Sequence, residues 1–159
     1  MKAKHHFWSS LAAGGALYWA TGSSAALSGA MLGGFAVDAD HVVDQWWSIR
    51  RGAGLSSGKA AADATAAGKT WWFARYFQRR KLVRLPLIFH SYELLVVLVV
   101  LTANARTSFL VGLLAGYVLH LALDLARHHH EFVSPLFYSL SYRLAQGFQR
   151  ERLIKPEYL

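Results

Sequence analysis

A dense group of acidic residues lies near position 40, at the end of an apolar run. Asp38, Asp40, His41 and Asp44 fall within seven positions, although the 159-residue chain has only nine acidic residues. Carboxylates and imidazoles are the side chains that bind divalent metal ions when thiolates are absent. The chain has no cysteine, which excludes disulfides and thiolate sites. The first chemical hypothesis is therefore a metal site.

Two later segments pair a histidine with a carboxylate at helical spacing. His120 and Asp124 are four residues apart, and His90 and Glu93 are three apart. At these spacings both members of a pair lie on one face of a helix. Each pair can therefore point toward a shared site.

Four apolar segments must position these residues, running from about 5 to 21, 24 to 41, 86 to 103 and 108 to 126. As helices, the last two would extend roughly 27 Å, close to a hydrocarbon core of about 30 Å. The first two are rich in glycine and alanine, which suits close packing of membrane helices. With 54% hydrophobic residues, the chain is predicted to be all-α, a single integral membrane domain over 1–159 built on a four-helix bundle.

The placement of charge predicts the orientation of this bundle. Basic residues concentrate in the loop 48–84, at the N-terminus and in the C-terminal tail. By the positive-inside tendency, we expect both termini and this loop to lie in the cytoplasm. Segments 71–85 and 135–150 mix aromatic and basic residues, as amphipathic interfacial helices do. The net charge of +8 also suits nucleic acid, but the apolar neighbours favour a membrane and we expect no nucleic-acid partner.

In this topology the polar residues meet at one depth, the cytoplasmic end of the bundle. Ionisable groups in a membrane segment are costly, and a divalent ion offsets that cost by keeping carboxylates ionised and histidines neutral. The sequence predicts one or two ions, with zinc favoured and manganese or iron as alternatives. The predicted ligands are His5, His6, Asp38, Asp40, His41, His90, His120 and Asp124.

Four further residues are assigned roles around this site. Glu93 and Asp44 are the candidate general bases. Arg84 is a candidate to neutralise an anionic headgroup, and His128, in the run Arg-His-His-His-Glu, a candidate for phosphate contact. Simpler interpretations stay open: a second-shell role for Glu93, a helix-end cap for Asp44, a topology-setting cation at Arg84 and an interfacial patch around His128.

Four short motifs occur in a fixed order along the chain. They are an N-terminal histidine, Asp-Ala-Asp-His at 38–41, His-Ser at 90–91 and Gly-Tyr-Val-Leu-His-Leu-Ala-Leu-Asp at 116–124. In this order the chain resembles a family of bacterial inner-membrane, metal-dependent hydrolases, some of them LexA-regulated. The chain departs from the family pattern at three places. It has Val37 where the family has proline, and Leu-Pro-Leu at 85–87 where the family has His-Arg-Gly. The Thr-Pro that follows the last aspartate in the family is absent after Asp124.

The resemblance implies a multi-pass protein of the bacterial inner membrane that carries out hydrolysis. The expected target is a lipid headgroup or phosphoester bond, because the site would lie at the depth of lipid phosphates beside a basic loop. Proton or metal-ion transport and a structural subunit that docks a partner remain as alternatives. So do a soluble helical protein with apolar core helices, a first segment that is a cleaved signal peptide, and assembly as a homo-oligomer.

Overall fold

The computed structural model describes residues 3–41 and 85–159, and this part of the chain is all-α, as the sequence predicts. Each apolar segment contains one long helix: α1 Ala3–Thr21, α2 Ser24–Phe35, α3 Tyr92–Ala105 and α4 Ser108–His128. The short elements are α5 Leu140–Ala145, α6 Arg150–Leu153 and 3-10 turns at Ala36–Asp38, His129–Glu131, Pro135–Tyr138 and Pro156–Tyr158. The described residues contain no β-strand, only an isolated antiparallel bridge between Phe132 and Ile154.

Local sequence explains where three of the long helices begin. The hydroxyl oxygens of Ser23, Ser91 and Thr107 each accept a hydrogen bond from the backbone N–H three residues later. This is the N-cap arrangement that satisfies an otherwise unpaired helix donor. Gly22, with φ of 67°, turns the chain between α1 and α2. Two short turns therefore fold the helices into antiparallel hairpins.

Helices α2 and α4 pack most closely, through two facing Gly-x-x-x-Gly sequences. Gly29 and Gly33 lie on α2, and Gly112 and Gly116 lie on α4. A Cβ at any of the four would overlap backbone atoms of the facing helix. Small residues at this spacing permit such contact between helix backbones. The approach brings the end of α2, which leads to Asp38, against the face of α4.

The described helices differ in their ability to cross a membrane. Within residues 3–41 and 85–159, one helix, Ser108–Glu131, is long and apolar enough to span a bilayer, and Tyr92–Ala105 is a shorter apolar helix. The 12 residues of α2 cover only about 18 Å at 1.5 Å per residue. The multi-pass prediction from four apolar segments is therefore supported for one helix only.

The C-terminal tail is not the continuous amphipathic helix expected over 135–150. The segment breaks at Ser139, between the 3-10 turn Pro135–Tyr138 and α5. Phe137, Tyr138 and Arg143 are buried. Phe132 and Phe137 stack face to face, and Tyr138 meets both rings edge-on. Tyr138 also meets Tyr92 at the start of α3 edge-on, so the tail folds back onto the helices.

Candidate metal centre

The histidines and aspartates of four separate segments meet at one end of the helices. His6 lies on α1, Asp38 ends the 3-10 turn after α2, His90 precedes α3, and His120 and Asp124 lie on α4. The imidazoles of His6, His90 and His120 are each about 1% exposed, and Asp124 is 6% exposed. Burial of this many ionisable groups is costly unless they bind one another or an ion. The cluster is therefore the strongest candidate site in the described residues.

The centre is organised around His90 and His120, whose Nε2 atoms are 2.8 Å apart. His120 Nδ1 lies 2.7 Å from the carbonyl oxygen of Gly34, and His90 Nδ1 lies 2.8 Å from Asp40 Oδ2. A carbonyl oxygen and an ionised carboxylate only accept hydrogen bonds, so each Nδ1 must be the donor. In a neutral imidazole this leaves the Nε2 lone pair free. Two lone pairs therefore converge at this point, where a shared proton or bound metal ions would satisfy them.

Two carboxylates surround this pair of nitrogens. Asp124 Oδ2 lies 3.6 Å from His90 Nε2 and 3.5 Å from His120 Nε2. Asp38 Oδ1 lies 3.6 Å and 3.7 Å from the same two nitrogens. Both carboxylates therefore face the point at which the imidazole lone pairs converge, and they supply the negative charge that a metal ion requires.

His6 and His41 extend the cluster on opposite sides. His6 Nε2 lies 3.1 Å from Asp124 Oδ1, and its ring stacks on that of His120. His41 Nε2 lies 3.8 Å from Asp38 Oδ1, and its side chain is 42% exposed. The structure thus places His6, and not the exposed His5, at the centre. It leaves His41 at the solvent-facing edge.

Asp40 was predicted to be a metal ligand, but its contacts give it a different role. Its Oδ2 accepts hydrogen bonds from His90 Nδ1 and from the backbone N–H of Phe89. A carboxylate in this position orients a histidine ligand and fixes its tautomer, without binding the metal itself. Asp40 is therefore better described as the partner of His90 than as a ligand.

Glu93 was predicted to be a general base, and its contacts also give it a different role. Its carboxylate accepts hydrogen bonds from Ser139 Oγ and from the backbone N–H groups of Leu140 and Ser141, at 2.8–3.0 Å. These donors belong to the first turn of α5, so Glu93 caps that helix. The structure gives Glu93 a capping role in place of the predicted general-base role, because three donors already occupy its oxygens.

The remaining predicted residues lie outside the cluster or outside the described chain. Asp44 and Arg84 fall between residues 41 and 85 and are not described. His128 Nδ1 lies 2.6 Å from Glu131 Oε1, at the C-terminal end of α4 and four residues beyond Asp124. Among residues 3–41 and 85–159, neither His5 nor His128 belongs to any of the His/Asp groups that could hold an ion.

Two residues that sequence reasoning did not assign to the site hold the turn that carries His90. The Tyr117 hydroxyl lies 2.8 Å and 2.7 Å from the carbonyl oxygens of Phe89 and Ser91. Arg143 Nη2 donates to the carbonyl oxygen of His90 at 2.8 Å. Tyr117 stands within the Gly-Tyr-x-x-His motif, which was a usable signal. No signal in the sequence identified Arg143, since its sequence context matches that of an exposed tail arginine.

A buried tyrosine lies on the tail side of the centre. Tyr138 is 3% exposed and packs among Phe132, Phe137 and Tyr92. Burial, reinforced by the nearby Asp124 carboxylate, raises the pKa of the Tyr138 phenol. The phenol therefore stays neutral and adds no charge beside the histidines.

Replacing Arg143 with methionine is expected to weaken metal binding about 10- to 100-fold, the usual cost of losing an outer-shell partner. The substitution keeps an apolar stem against Phe137 but removes the donor to His90. Isothermal titration of metal-free protein with Zn²⁺ measures the change. Arg150→Met is the matched control, because Arg150 donates to Tyr158 and Leu159 and not to the His90 turn. Equal affinities for the two variants would contradict a positioning role for Arg143.

Comparison of the chain with protein-family models, with curated proteins and with solved structures finds no match.

Proposed function

We propose that this protein is a metal-dependent hydrolase that acts at a membrane interface on a phosphoester or other lipid headgroup bond. One observation carries the proposal: the Nε2 atoms of His90 and His120 face each other at 2.8 Å while Gly34 and Asp40 occupy both Nδ1 atoms. Histidine ligands of metal ions characteristically donate their second nitrogen to a carbonyl or carboxylate in this way.

The donor atoms have separations that suit a divalent ion. Bonds of 2.0–2.2 Å to a tetrahedral ion separate neighbouring ligands by roughly 3.3–3.6 Å. Separations of 2.8–3.8 Å among the Nε2 atoms of His6, His90, His120 and His41 and the oxygens of Asp38 and Asp124 bracket that value. Imidazole and carboxylate together suit zinc first, with manganese or iron as alternatives.

The chain's own residues would hold the ion and leave one side open. A bound divalent ion lowers the pKa of a water molecule toward 7 and polarises the oxygen of a scissile group. The Asp38 carboxylate is 24% exposed and His41 more so, so substrate would approach from this side. Asp40 and Gly34 keep the His90 and His120 rings oriented for the ion.

A membrane environment is supported by the outer faces of the helices. Large apolar side chains on α1 and α3 are exposed, including Trp19 at 90% and Val96 at 62%. Exposed apolar surface of this extent marks contact with lipid or protein. Trp8 and Trp19 on α1 also suit an interface, where aromatic rings concentrate. With the resemblance noted above, this favours a bacterial inner membrane, with the termini on the cytoplasmic side.

The test is hydrolysis by purified full-length protein in detergent micelles, with a panel of phospholipids and lipid phosphates and detection of released headgroup or phosphate. Chelator is expected to abolish activity and Zn²⁺ to restore it, and activity should rise toward neutral pH as the bound water deprotonates. His6→Ala should lower activity by about 10²-fold or more, as expected for loss of a ligand.

The neighbouring His5→Ala is the matched control, because His5 is exposed and outside the cluster. It should retain activity close to that of the unmodified protein. Metal-loaded protein that hydrolyses no member of the panel, yet moves protons or ions into liposomes in a His120-dependent way, would replace hydrolysis with transport.

A further inference from the structure

The centre contains more ligands than one tetrahedral ion uses. Four imidazole nitrogens and two carboxylates converge, whereas a zinc ion binds four ligands and a catalytic one only three from protein. These donors fall into three overlapping triplets, within each of which the ligand atoms lie within 4.8 Å of one another. The triplets are His6–Asp38–His120, Asp38–His41–His90 and His90–His120–Asp124. Asp38 belongs to two of them.

Lone-pair counting shows how the donors divide. A histidine whose Nδ1 is committed as a donor offers a single lone pair, on Nε2, and so binds one ion only. His90 and His120 are both in this state. A carboxylate can bridge two ions. Asp38 Oδ1 lies 3.8 Å from His41 Nε2, 3.6 Å from His90 Nε2 and 3.7 Å from His120 Nε2. Asp38 therefore fits as the donor shared between a His41–His90 pair and a His6–His120 pair.

We propose that the centre binds two divalent ions bridged by Asp38, an inner ion held by His6, His120 and Asp124 and an outer ion held by His41 and His90. The inference rests on the proposed metal-dependent function and deepens it. Ions about 3.5–4 Å apart can stabilise both the attacking and the leaving oxygen of a phosphoester, and we take that bond as the substrate class. The outer ion lies on the exposed side, where a lipid phosphate would arrive.

The charges of the centre are compatible with a pair of ions. Asp38 and Asp124 contribute two negative charges directly, and Asp40 contributes a third through His90. Two divalent ions carry four positive charges, so one remains for an anion. The hydroxide formed from metal-bound water, or an anionic phosphoester, would supply it.

The test is metal stoichiometry. Full-length protein in detergent is stripped with chelator, titrated with Mn²⁺ or Zn²⁺, and analysed for bound metal per chain. We expect a ratio of two, with a spin-coupled Mn²⁺ pair in electron paramagnetic resonance. His41→Asn should lower the ratio to one and remove the coupling, and its partial exposure makes the substitution compatible with folding.

His129→Asn is the matched control and should retain two ions, since His129 is exposed and contacts backbone carbonyls of its own helix end and the ring of His130. A ratio of one in the unmodified protein, or two ions in His41→Asn, would overturn the pair while leaving a one-ion hydrolase intact. A ratio of zero would overturn the proposed function itself. The two failures are therefore distinguishable.

Discussion

Replacing His120 with alanine is expected to abolish metal binding and hydrolysis together. His120 Nε2 lies within 3.7 Å of His90 Nε2 and of the carboxylates of Asp38 and Asp124, and its ring stacks on that of His6. Its removal deletes a ligand and leaves the carbonyl of Gly34 without its donor. Elemental analysis of the purified variant and the lipid-phosphate assay measure both losses, and we expect at least a 10²-fold fall in each, more than an outer-shell change produces.

His129→Ala is the control for this substitution, because it changes a histidine at the end of the same helix that lies outside the cluster. It should bind metal and substrate as the unmodified protein does. A folded His120→Ala protein with the normal metal content would show that the buried histidines share a proton and not a metal ion. Circular dichroism confirms folding in both variants.

Alanine at Gly116 is expected to destabilise the protein strongly, at the upper end of the roughly 1–3 kcal/mol typical of overpacking. A Cβ there would overlap the carbonyl of Ala30 on α2, and backbone cannot move aside as a flexible side chain can. Forcing α2 away from α4 would also shift the Gly34 carbonyl from His120. Thermal unfolding in detergent measures the loss, and zinc titration should show weaker binding in the same variant.

Gly15→Ala is the matched control, since a Cβ at Gly15 meets no atom within 4 Å. Both positions are glycines within helices, so the change in helix propensity, about 1 kcal/mol in favour of alanine, is common to the two variants. Gly15→Ala should therefore be as stable as the unmodified protein or more so. Equal melting temperatures for the two variants would contradict the close packing of α2 and α4.

The helical fold could be predicted from the chain's own pattern. Apolar segments of helical length, separated by Gly22 and by the turn before Thr107, predict helices that overlap the observed α1 to α4. The predicted bounds differ for two of them, since α2 ends at Phe35 and not at 41, and α3 begins at Tyr92 and not at 86. Spacing also placed His120 and Asp124 on one helix face, and these two residues do lie together, 3.5 Å apart between Nε2 and Oδ2. Such information is local, because helical periodicity and capping act within a few residues.

Roles that depend on distant contacts could not be predicted in the same way. Asp38 and Asp40 are two residues apart and have the same side chain. Asp38 faces His90 Nε2, whereas Asp40 accepts a hydrogen bond from His90 Nδ1 on the opposite side of the ring. Glu93 has the spacing of a ligand, but its oxygens meet the start of α5, 46–48 residues later. The hydrogen-bond donors that a carboxylate meets depend on which residues folding brings close to it.

The sequence by itself determined the helical class, the types of ligand available and the absence of thiolate chemistry. Only the tertiary structure decided between His5 and His6, and only it brought Arg143 to the carbonyl of His90. The physical reason is that adjacent residues on a helix point about 100° apart. Close packing of α1 on α2, where a Cβ at Gly14 would meet Leu27 and a Cβ at Gly34 would meet Ser10, determines which of those directions faces the site.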